Sequence, residues 1–196
     1  MTQPGVRRRE IDDTASELFH ANGYAATSVR DIARALDMQG ASLYAHVASK
    51  EDLLWAIVDR AAVEFEQAAD RAIADTRNGD AVERLAALVE AHVEVVTADP
   101  ERSSVFVTEW RHLSESRRAV IAERRDAYEA RFRETIADGI AGGALRATDP
   151  AVAATFILTS LNGIATWYRP DGRLSPDRIA DQYLELALRA LSEDHR

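Results

Sequence analysis

Apolar residues recur at helical spacing along nearly the whole chain, and this periodicity constrains the fold more than any other feature of the sequence. Ile11, Ala15, Leu18 and Phe19 lie at i, i+4, i+7 and i+8, as on the buried face of an amphipathic helix. No segment shows the strict alternation of apolar and polar residues that marks a half-buried strand. The sequence therefore predicts an all-α protein.

Start and stop signals divide this pattern into about nine helices. Asn22-Gly23 predicts the end of the first helix, Thr27-Ser28 caps a short second helix through Leu36, and a third covers about 41–47. Three later starts combine an N-cap residue with a proline suited to the first turn: Asp99-Pro100, Asp149-Pro150 and Ser175-Pro176. The longer helices are expected from about residue 50 to Asn78-Gly79 and at about 81–98, 100–112, 115–142, 150–168 and 176–192.

Charge is distributed unevenly along the chain, whose formal net charge is −9. The first 50 residues hold six basic and six acidic side chains, and the remainder holds 18 basic and 27 acidic ones. DNA binding depends on where Lys and Arg meet phosphates, so this asymmetry permits it in the N-terminal segment. The chain has no cysteine and no run of about 18 apolar residues, so we expect a cytoplasmic protein without disulfides or membrane partner. No cofactor or metal site is expected.

Two short helices joined by a tight turn predict a helix-turn-helix, whose second helix can enter the major groove of DNA. The turn contains Asp37, which tolerates a left-handed backbone better than most residues, and Gly40, which lets the backbone pass close to a partner. Leu43 and Val47 lie four residues apart and can pack inward. We expect Ser42, Ala45 and His46 to point elsewhere, with Tyr44 straddling both faces.

Three segments carry a resemblance to a known family: Thr27-Ser28-Val29-Arg30-Asp31-Ile32-Ala33, Ser42-Leu43-Tyr44-Ala45-His46-Val47 and Ser49-Lys50-Glu51-Asp52-Leu53. Together they resemble the DNA-binding signature of the TetR family of bacterial repressors, over about residues 8–58. The chain departs from that signature at Asp37, where Gly is usual, and at Val47, where Phe is common. The resemblance implies a helix-turn-helix DNA-binding domain at 1–49 and a helical ligand-binding and dimerisation domain at 50–196.

The resemblance also implies which residues touch DNA. Hydroxyl groups and free backbone N–H groups at the start of the second helix, and the single lysine of the chain, suit phosphate contacts. Arg30 suits a guanine edge, Ser42 and Tyr44 suit bases or a thymine methyl, and His46 a phosphate. The predicted DNA-binding set is Thr27, Ser28, Arg30, Gln39, Gly40, Ser42, Tyr44, His46 and Lys50. Arginines 7–9 form either an additional N-terminal arm or a solvated tail.

A helix-turn-helix monomer reads one half-site, so we expect a homodimer on palindromic operator DNA, its recognition helices about 34–36 Å apart. The last two helices are the expected interface because their apolar residues are too numerous to leave exposed. These are Ala153, Ala154, Phe156, Ile157, Leu158, Leu161 and Ile164, with Tyr183, Leu184, Leu186, Ala187, Leu188, Ala190 and Leu191. Burial within one subunit is the alternative for some of them.

A small-molecule effector is expected to bind within the C-terminal bundle. The candidate pocket residues are Phe106, Trp110, Tyr128, Phe132, Asn162 and Trp167, although aromatic residues at helical spacing are also typical of a core. The segment 167–176 is similar to that of TetR-type regulators of lipid and steroid breakdown that respond to acyl-CoA thioesters. An acyl-CoA would pair its phosphates with arginine, for which Arg124, Arg125, Arg131 and Arg169 are candidates. A neutral apolar or aromatic effector remains the alternative. Effector binding that tilts the fourth helix would change the distance between the two helix-turn-helix domains of the dimer, so that they no longer match the half-site spacing of the operator.

Two other classes of function compete with this interpretation. An enzyme acting on acyl-CoA lacks support, because the chain has no HExxH, no Gly-rich phosphate loop and no Gly-x-Ser-x-Gly elbow. Glu90, His92 and Glu94 lie at i, i+2 and i+4 of one helix, which splits them between faces. We therefore expect no catalysis. A helical interaction module without DNA binding is the second alternative, and the intact signature argues against it.

Overall fold

The computed structural model describes residues 4–191, and every regular element within them is a helix. The helices are α1 (Pro4–Asn22), α2 (Val29–Ala35), α3 (Gly40–Tyr44), α4 (Lys50–Asp75), α5 (Ala81–Ala98), α6 (Pro100–Thr108), α7 (Glu115–Ala141), α8 (Pro150–Asn162), α9 (Ile164–Trp167) and α10 (Pro176–Leu191). A single 3-10 turn, Trp110–His112, follows α6. The all-α prediction is confirmed. Within residues 4–191, none of the helices combines the length and apolar character needed to cross a bilayer.

The predicted capping residues explain several helix ends. The Asp149 carboxylate accepts hydrogen bonds from the backbone N–H groups of Ala151 and Val152, at 2.8 and 3.3 Å, so α8 starts where predicted. Ser175 serves α10 in the same way through the N–H of Arg178, at 3.4 Å. Gly143 has φ 74°, a left-handed conformation that glycine adopts without strain, and it follows the end of α7.

Three predicted boundaries are wrong. The helix predicted at about 41–47 ends at Tyr44, because the N–H groups of Ala45 and His46 donate to carbonyls three residues back and tighten the chain into a turn. The helix predicted at 100–112 ends at Thr108 and tightens into the 3-10 turn. The helix predicted at 150–168 is interrupted at Gly163, which separates α8 from the single turn α9. If α8 and α9 are counted as one interrupted helix, residues 4–191 contain the nine α-helices expected.

The chain forms two compact units. The first contains residues up to Ala62 together with Glu101–Glu123, and the second contains Val63–Pro100 together with the residues from Arg124 onward. Helices α4 and α7 therefore each contribute residues to both units. The predicted division between residues 49 and 50 separates a DNA-binding domain from a ligand-binding domain, and it differs from this division by packing. It stays a prediction.

The first unit has a small core beneath the helix-turn-helix. Helix α2 packs on α1 and on α3. The largest side chains without exposure at this core are Ile11, Phe19, Ile32, Leu43, Leu53, Leu54 and Ile57. Leu43 inserts into this core and holds α3 in place, so the opposite face of α3 is exposed to solvent.

The second unit is built around α5, which packs against α8, α9 and α10. Its buried residues are Leu85, Leu88, Val89, His92, Val93, Val96 and Thr97. Most of the apolar residues predicted for a dimer interface are buried within the subunit instead: Ala153, Ala154, Ile157, Leu158, Leu161, Ile164, Ala187 and Leu191. Phe156 and Leu186 are the large hydrophobic members of that set that stand out to solvent, with exposed fractions of 55% and 61%.

Candidate nucleic-acid interface

The turn between α2 and α3 is closed by two backbone hydrogen bonds around a left-handed residue. Asp37 has φ 51°, its N–H donates to the carbonyl of Arg34 at 3.1 Å, and the N–H of Met38 donates to the carbonyl of Ala33 at 2.8 Å. These are the two bonds of a Schellman motif, which usually has glycine at the left-handed position. Asp37 thus makes the same turn that glycine makes elsewhere, as the sequence suggested.

Helix α3 buries one face and exposes the other. Leu43 and Val47 are buried, as predicted from their spacing, whereas Ser42, Ala45 and His46 are exposed. Tyr44 is 57% exposed, so most of its ring stands in solvent rather than straddling the two faces. Gln39 precedes the helix and is exposed, and a Cβ added at Gly40 would meet open space. The outward face of α3 therefore presents a hydroxyl and a phenol, and the turn directly after the helix adds the imidazole of His46.

The start of α2 is capped by its own side chains. The Ser28 hydroxyl oxygen accepts a hydrogen bond from the N–H of Asp31 at 3.2 Å, and the Asp31 carboxylate accepts one from the N–H of Ser28 at 2.9 Å. The Ser28 hydroxyl donates to the Asp31 carboxylate at 2.6 Å, and this bond, together with the one from the Ser28 N–H, lowers the pKa of Asp31. Thr27 is only 3% exposed, and its hydroxyl donates to the carbonyls of Gly23 and Leu18, at 2.9 and 3.2 Å. The side chain of Thr27 therefore stabilises the loop, and a phosphate contact from it stays a prediction.

Lys50, the first residue of α4, holds the loop between α1 and α2. Its ammonium donates to the carbonyls of Tyr24 and Thr27, at 2.8 and 2.9 Å, and lies 4.0 Å from the centroid of the Tyr24 ring. Burial lowers the pKa of Lys50. Two of the three ammonium donors are thus used within the chain. A contact from Lys50 to DNA stays a prediction, and it would have to use the third donor.

The same loop is held by residues that the sequence analysis missed. The N–H of Tyr24 donates to the Glu109 carboxylate at 3.2 Å, and the Tyr24 ring stacks on His112 at 5.2 Å between centroids. In a 3-10 turn, residues three apart eclipse one another, which places Glu109 and His112 on the same side. No local pattern in the sequence indicates this contact, because 85 positions separate Tyr24 from Glu109.

A second contact of this kind joins the start of α4 to the start of α7. The Arg117 guanidinium donates to the carboxylates of Glu51 and Asp52, at 3.2 and 2.5 Å, and lies 5.4 Å from the Trp55 ring. Glu51 also accepts a hydrogen bond from the N–H of Ser114 at 3.1 Å. The hydrogen bond from Ser114 lowers the pKa of Glu51, and that from Arg117 lowers the pKa of Asp52. The start of α4 is therefore fixed to the segment Glu101–Glu123, which belongs to the same unit.

The remaining predicted cations lie on helices. Arg30 is exposed on α2. Arg7 and Arg8 belong to α1 rather than to an extended arm, and they pair with Glu10 at 2.6 Å and Asp12 at 2.9 Å. Arg8 also donates to the carbonyl of His46 at 3.1 Å, so it supports the residues that follow α3.

The predicted pocket residues are divided between the two units. Phe106 and Trp110 belong to the first unit, where Phe106 is buried and Trp110 lies 5.0 Å from the Arg111 guanidinium. Tyr128 and Phe132 belong to the second unit, and their ring centroids lie 5.7 Å apart. Asn162 and Trp167 also belong to the second unit. Asn162 is half-buried, and Trp167 is 44% exposed. Of the six, Tyr128 and Phe132 are thus in ring contact with each other.

The arginines considered for acyl-CoA phosphates are mostly engaged. Arg124 forms a bidentate pair with Glu66, at 2.7 and 2.8 Å, and Arg131 binds Asp70 at 2.6 Å. Arg125 also has a partner. Arg169 is exposed, follows Trp167 by two residues and donates to the carbonyl of Tyr168 at 3.0 Å. Arg169 is therefore the most accessible of the four for a phosphate.

An open cleft of about 610 Å³ lies between α4, α5 and α10 in the second unit. Its charged lining consists of Arg71 and five acidic residues: Asp75, Glu90, Glu94, Asp177 and Asp181. Carboxylates repel phosphate groups, so this cleft does not suit the phosphates of a coenzyme A.

The fold and the exposed face of α3 define a helix-turn-helix DNA-binding protein. Residues 11–64 match the family model described as bacterial regulatory proteins of the tetR family. Residues 78–191 match that of the tetracyclin repressor-like C-terminal domain, which is more than half of the chain. The chain belongs to the TetR family of transcriptional regulators, which confirms the resemblance.

Similar proteins cover nearly the whole chain. The HTH-type transcriptional repressor KstR2 of Rhodococcus jostii (strain RHA1) is 29% identical over 195 residues, covering 96% of this chain and 93% of that repressor. The structure of the ketosteroid regulator KstR2 of Mycobacterium tuberculosis has a TM-score of 0.89 at 27% identity, with 96% of each chain covered. AibR, solved with isovaleryl coenzyme A and operator DNA, has a TM-score of 0.81 at 32% identity, covering 93% of this chain and 98% of AibR.

Proposed function

We propose that this protein is a cytoplasmic repressor that binds a palindromic operator as a homodimer and leaves it when an acyl-CoA thioester binds. The observation that carries the proposal is the outward side of α3 and of the turn after it, where Ser42, Tyr44 and His46 are exposed while Leu43 anchors the helix. Side chains of these types on a helix that enters the major groove can contact base edges and phosphates. The role is binding and release, without turnover of the effector.

The exposed apolar side chains of α8 and α10 support the dimer. Val152 and Phe156 lie four residues apart on α8 with exposed fractions of 65% and 55%, and Leu186 of α10 is also exposed. Large apolar side chains grouped in this way favour a protein interface. A symmetric pair of subunits would cover them and present two recognition helices to one operator.

The acyl-CoA effector is supported by the relatives and by the accessible Arg169. AibR, which is 32% identical, was solved with isovaleryl coenzyme A and operator DNA. Trp167 at the end of α9 is partly exposed and Arg169, two residues later, is exposed, so a ring for an adenine and a cation for a phosphate are both accessible to an effector. A neutral apolar effector would need neither side chain.

A mobility-shift assay tests DNA binding with the DNA upstream of the coding region and, if needed, with operators selected from genomic DNA. We expect Tyr44→Ala and Arg30→Ala each to weaken specific binding about tenfold or more, since one base contact discriminates by about 1–3 kcal/mol. Arg173→Ala is the matched control for charge, because Arg173 is also exposed but lies far along the sequence from the helix-turn-helix. Equal binding by all three variants would contradict the assigned face.

Addition of acyl-CoA thioesters to the same assay tests release. A coupling of about 1–3 kcal/mol, which is common for allosteric proteins, weakens DNA binding about 5- to 150-fold. Free coenzyme A is the control, since it carries the phosphates without an acyl group. Release by free coenzyme A alone, or by neutral lipids and not by thioesters, would refute the acyl-CoA effector.

A further inference from the structure

A buried histidine lies at the centre of an aromatic cluster in the second unit. The His92 ring contacts Phe65 at 4.9 Å, Tyr128 at 5.9 Å and Phe132 at 6.5 Å between centroids. His92 is only 2% exposed. Its Nδ1 lies 3.1 Å from the Tyr128 hydroxyl. The cluster is therefore an apolar site with one polar pair inside it.

The second ring nitrogen of His92 has no partner within the described part of the chain. Nε2 is buried, and none of the residues between 4 and 191 offers it a hydrogen bond. Burial, with a smaller contribution from Arg125, lowers the pKa of His92 to about 3. The ring is therefore neutral near pH 7, and carries one N–H donor and one acceptor nitrogen. An unsatisfied buried polar atom of this kind is costly and rare in folded proteins.

The hydrogen bond with Tyr128 indicates which nitrogen carries the proton. If the Tyr128 hydroxyl donates to Nδ1, the proton of the ring lies on Nε2, and one donor is left without a partner. If Nδ1 donates instead, Nε2 is an acceptor without a partner, and the hydroxyl of the half-buried Tyr128 has to donate to another acceptor. Burial raises the pKa of Tyr128, so its hydroxyl keeps its proton. The first arrangement needs no other acceptor for this hydroxyl, and Nε2–H is then a donor inside an apolar site.

We propose that His92, oriented by Tyr128, donates a hydrogen bond from Nε2 to the thioester carbonyl of the effector, with Phe65 and Phe132 against its acyl chain. A carbonyl oxygen is an acceptor, as this donor requires, and an acyl chain is apolar, as the surrounding rings require. This inference rests on the proposed function and names the part of the effector that the bundle recognises. The cleft between α4, α5 and α10 is lined by Arg71, carboxylates and small apolar residues, and no aromatic ring is among its lining residues.

Paired ligands separate the carbonyl contact from the rest of the binding energy. Isovaleryl-CoA and octanoyl-CoA are compared by calorimetry with S-isopentyl-CoA and S-octyl-CoA, in which a methylene replaces the carbonyl. Removing an acceptor from a buried donor should weaken binding to the wild-type protein about tenfold or more. The variant His92→Phe/Tyr128→Phe should bind each thioester and its thioether within about twofold of one another. Equal preference for the thioester in both proteins would overturn the proposal.

The stability of the ligand-free protein gives a second readout. Replacing both partners of a buried hydrogen bond by apolar rings of similar shape is nearly neutral, and it also removes the unpaired Nε2. We expect the double variant to bind operator as the wild type does. Its Tm should be no more than about 2 °C below that of the wild type. A Tm lower by more than about 4 °C would assign the pair a structural role and overturn the proposal.

The two proposals fail differently in these experiments. A wild-type protein that binds its operator but none of the thioesters refutes the acyl-CoA effector, and the carbonyl contact with it. A wild-type protein that releases DNA with thioesters, beside a double variant that responds equally, refutes only the role of His92.

Discussion

Asp37 has the left-handed backbone of the turn between α2 and α3, with φ 51°. Such a conformation costs a non-glycine residue roughly 1–2 kcal/mol. Glycine avoids this cost, but it loses more conformational entropy on folding, which offsets the gain by about 0.5–1 kcal/mol. We expect Asp37→Gly to raise the free energy of unfolding by up to about 1 kcal/mol. Asp37→Val should lower it by about 1–2 kcal/mol, because a β-branched side chain fits this region poorly. Urea unfolding measures both, and equal losses in the two variants would contradict a role for the backbone angle.

The neutral, buried His92 makes the stability sensitive to mild acid. Its pKa is about 3 in the folded protein against about 6.5 when unfolded, so only the unfolded chain takes up a proton between these values. Stability therefore falls as the pH decreases from 6.5, by about 2 kcal/mol between pH 7 and pH 5. His92→Phe should remove this part of the pH dependence. Replacement of the exposed His20 by Phe is the control. An unchanged pH dependence in His92→Phe would show that the ring is protonated in the folded state.

Side-chain periodicity explains why the exposed face of α3 could be predicted and why other site residues could not. Leu43 and Val47 share one helix face by spacing alone, which leaves Ser42 and His46 outward. A threonine before a helix looks the same in sequence whether its hydroxyl binds phosphate or, as in Thr27, the carbonyls of its own loop. Such a choice is decided by tertiary contacts that no local pattern contains.

At the scale of elements, the first residue of α4 stabilises the loop between α1 and α2. Lys50→Met keeps the length of the side chain but removes its hydrogen bonds to the carbonyls of Tyr24 and Thr27. Hydrogen bonds from charged donors contribute roughly 1.5–3 kcal/mol, so we expect unfolding to become easier by about 1–3 kcal/mol. Arg34→Met is the control, because Arg34 pairs with Asp31 in solvent and should change stability little. Equal stability of both variants would refute the anchoring role.

The N-terminus of α3 tests whether this helix approaches DNA with its backbone. A Cβ at Gly40 meets no atom within 4 Å, so Gly40→Ala should fold with a stability within about 0.5 kcal/mol of the original. If DNA lies against this turn, the added methyl group should weaken operator binding about tenfold or more. Fluorescence anisotropy with labelled operator measures the affinity. An unchanged affinity would remove Gly40 from the DNA-binding set.

Helix starts were predicted better than helix interruptions. A proline after Asp149 or Ser175 is a local signal, and both helices begin there. The end of α6 at Thr108 has no such signal, since residues 109–112 are ordinary helix formers. Their 3-10 turn brings Glu109 and His112 to Tyr24, so the interruption follows from a contact distant in sequence. Tyr128 and Phe132 were predicted as pocket residues, but the sequence could not place His92 against them, because Tyr128 is 36 positions away.

For the whole molecule, the TetR fold could be predicted from about 50 residues near the N-terminus, whereas the surface that forms the dimer could not. Sequence alone could not separate the buried Ile157 from the exposed Phe156, since both are apolar residues of α8. The structure reduces the candidate interface to a few exposed side chains.

The dimer can be tested through those side chains. The double variant Val152→Glu/Phe156→Glu places two charges on the exposed face of α8, and we expect a folded monomer by light scattering. Loss of the second helix-turn-helix domain should weaken operator binding at least about 100-fold, as expected when two linked contacts become one. Val120→Glu is the matched control, because Val120 of α7 is also exposed. A double variant that remains dimeric would place the interface elsewhere.

The position of the single lysine has a practical consequence for studies of this protein in solution. Lys50 is the only lysine among the 196 residues, so amine-reactive dyes and coupling resins have one side chain to modify. That side chain is the one that donates to the carbonyls of Tyr24 and Thr27. Acylation of this side chain removes its charge, so labelling or surface attachment that reaches Lys50 would loosen the loop between α1 and α2. Biosensor experiments should immobilise the DNA and leave the protein free.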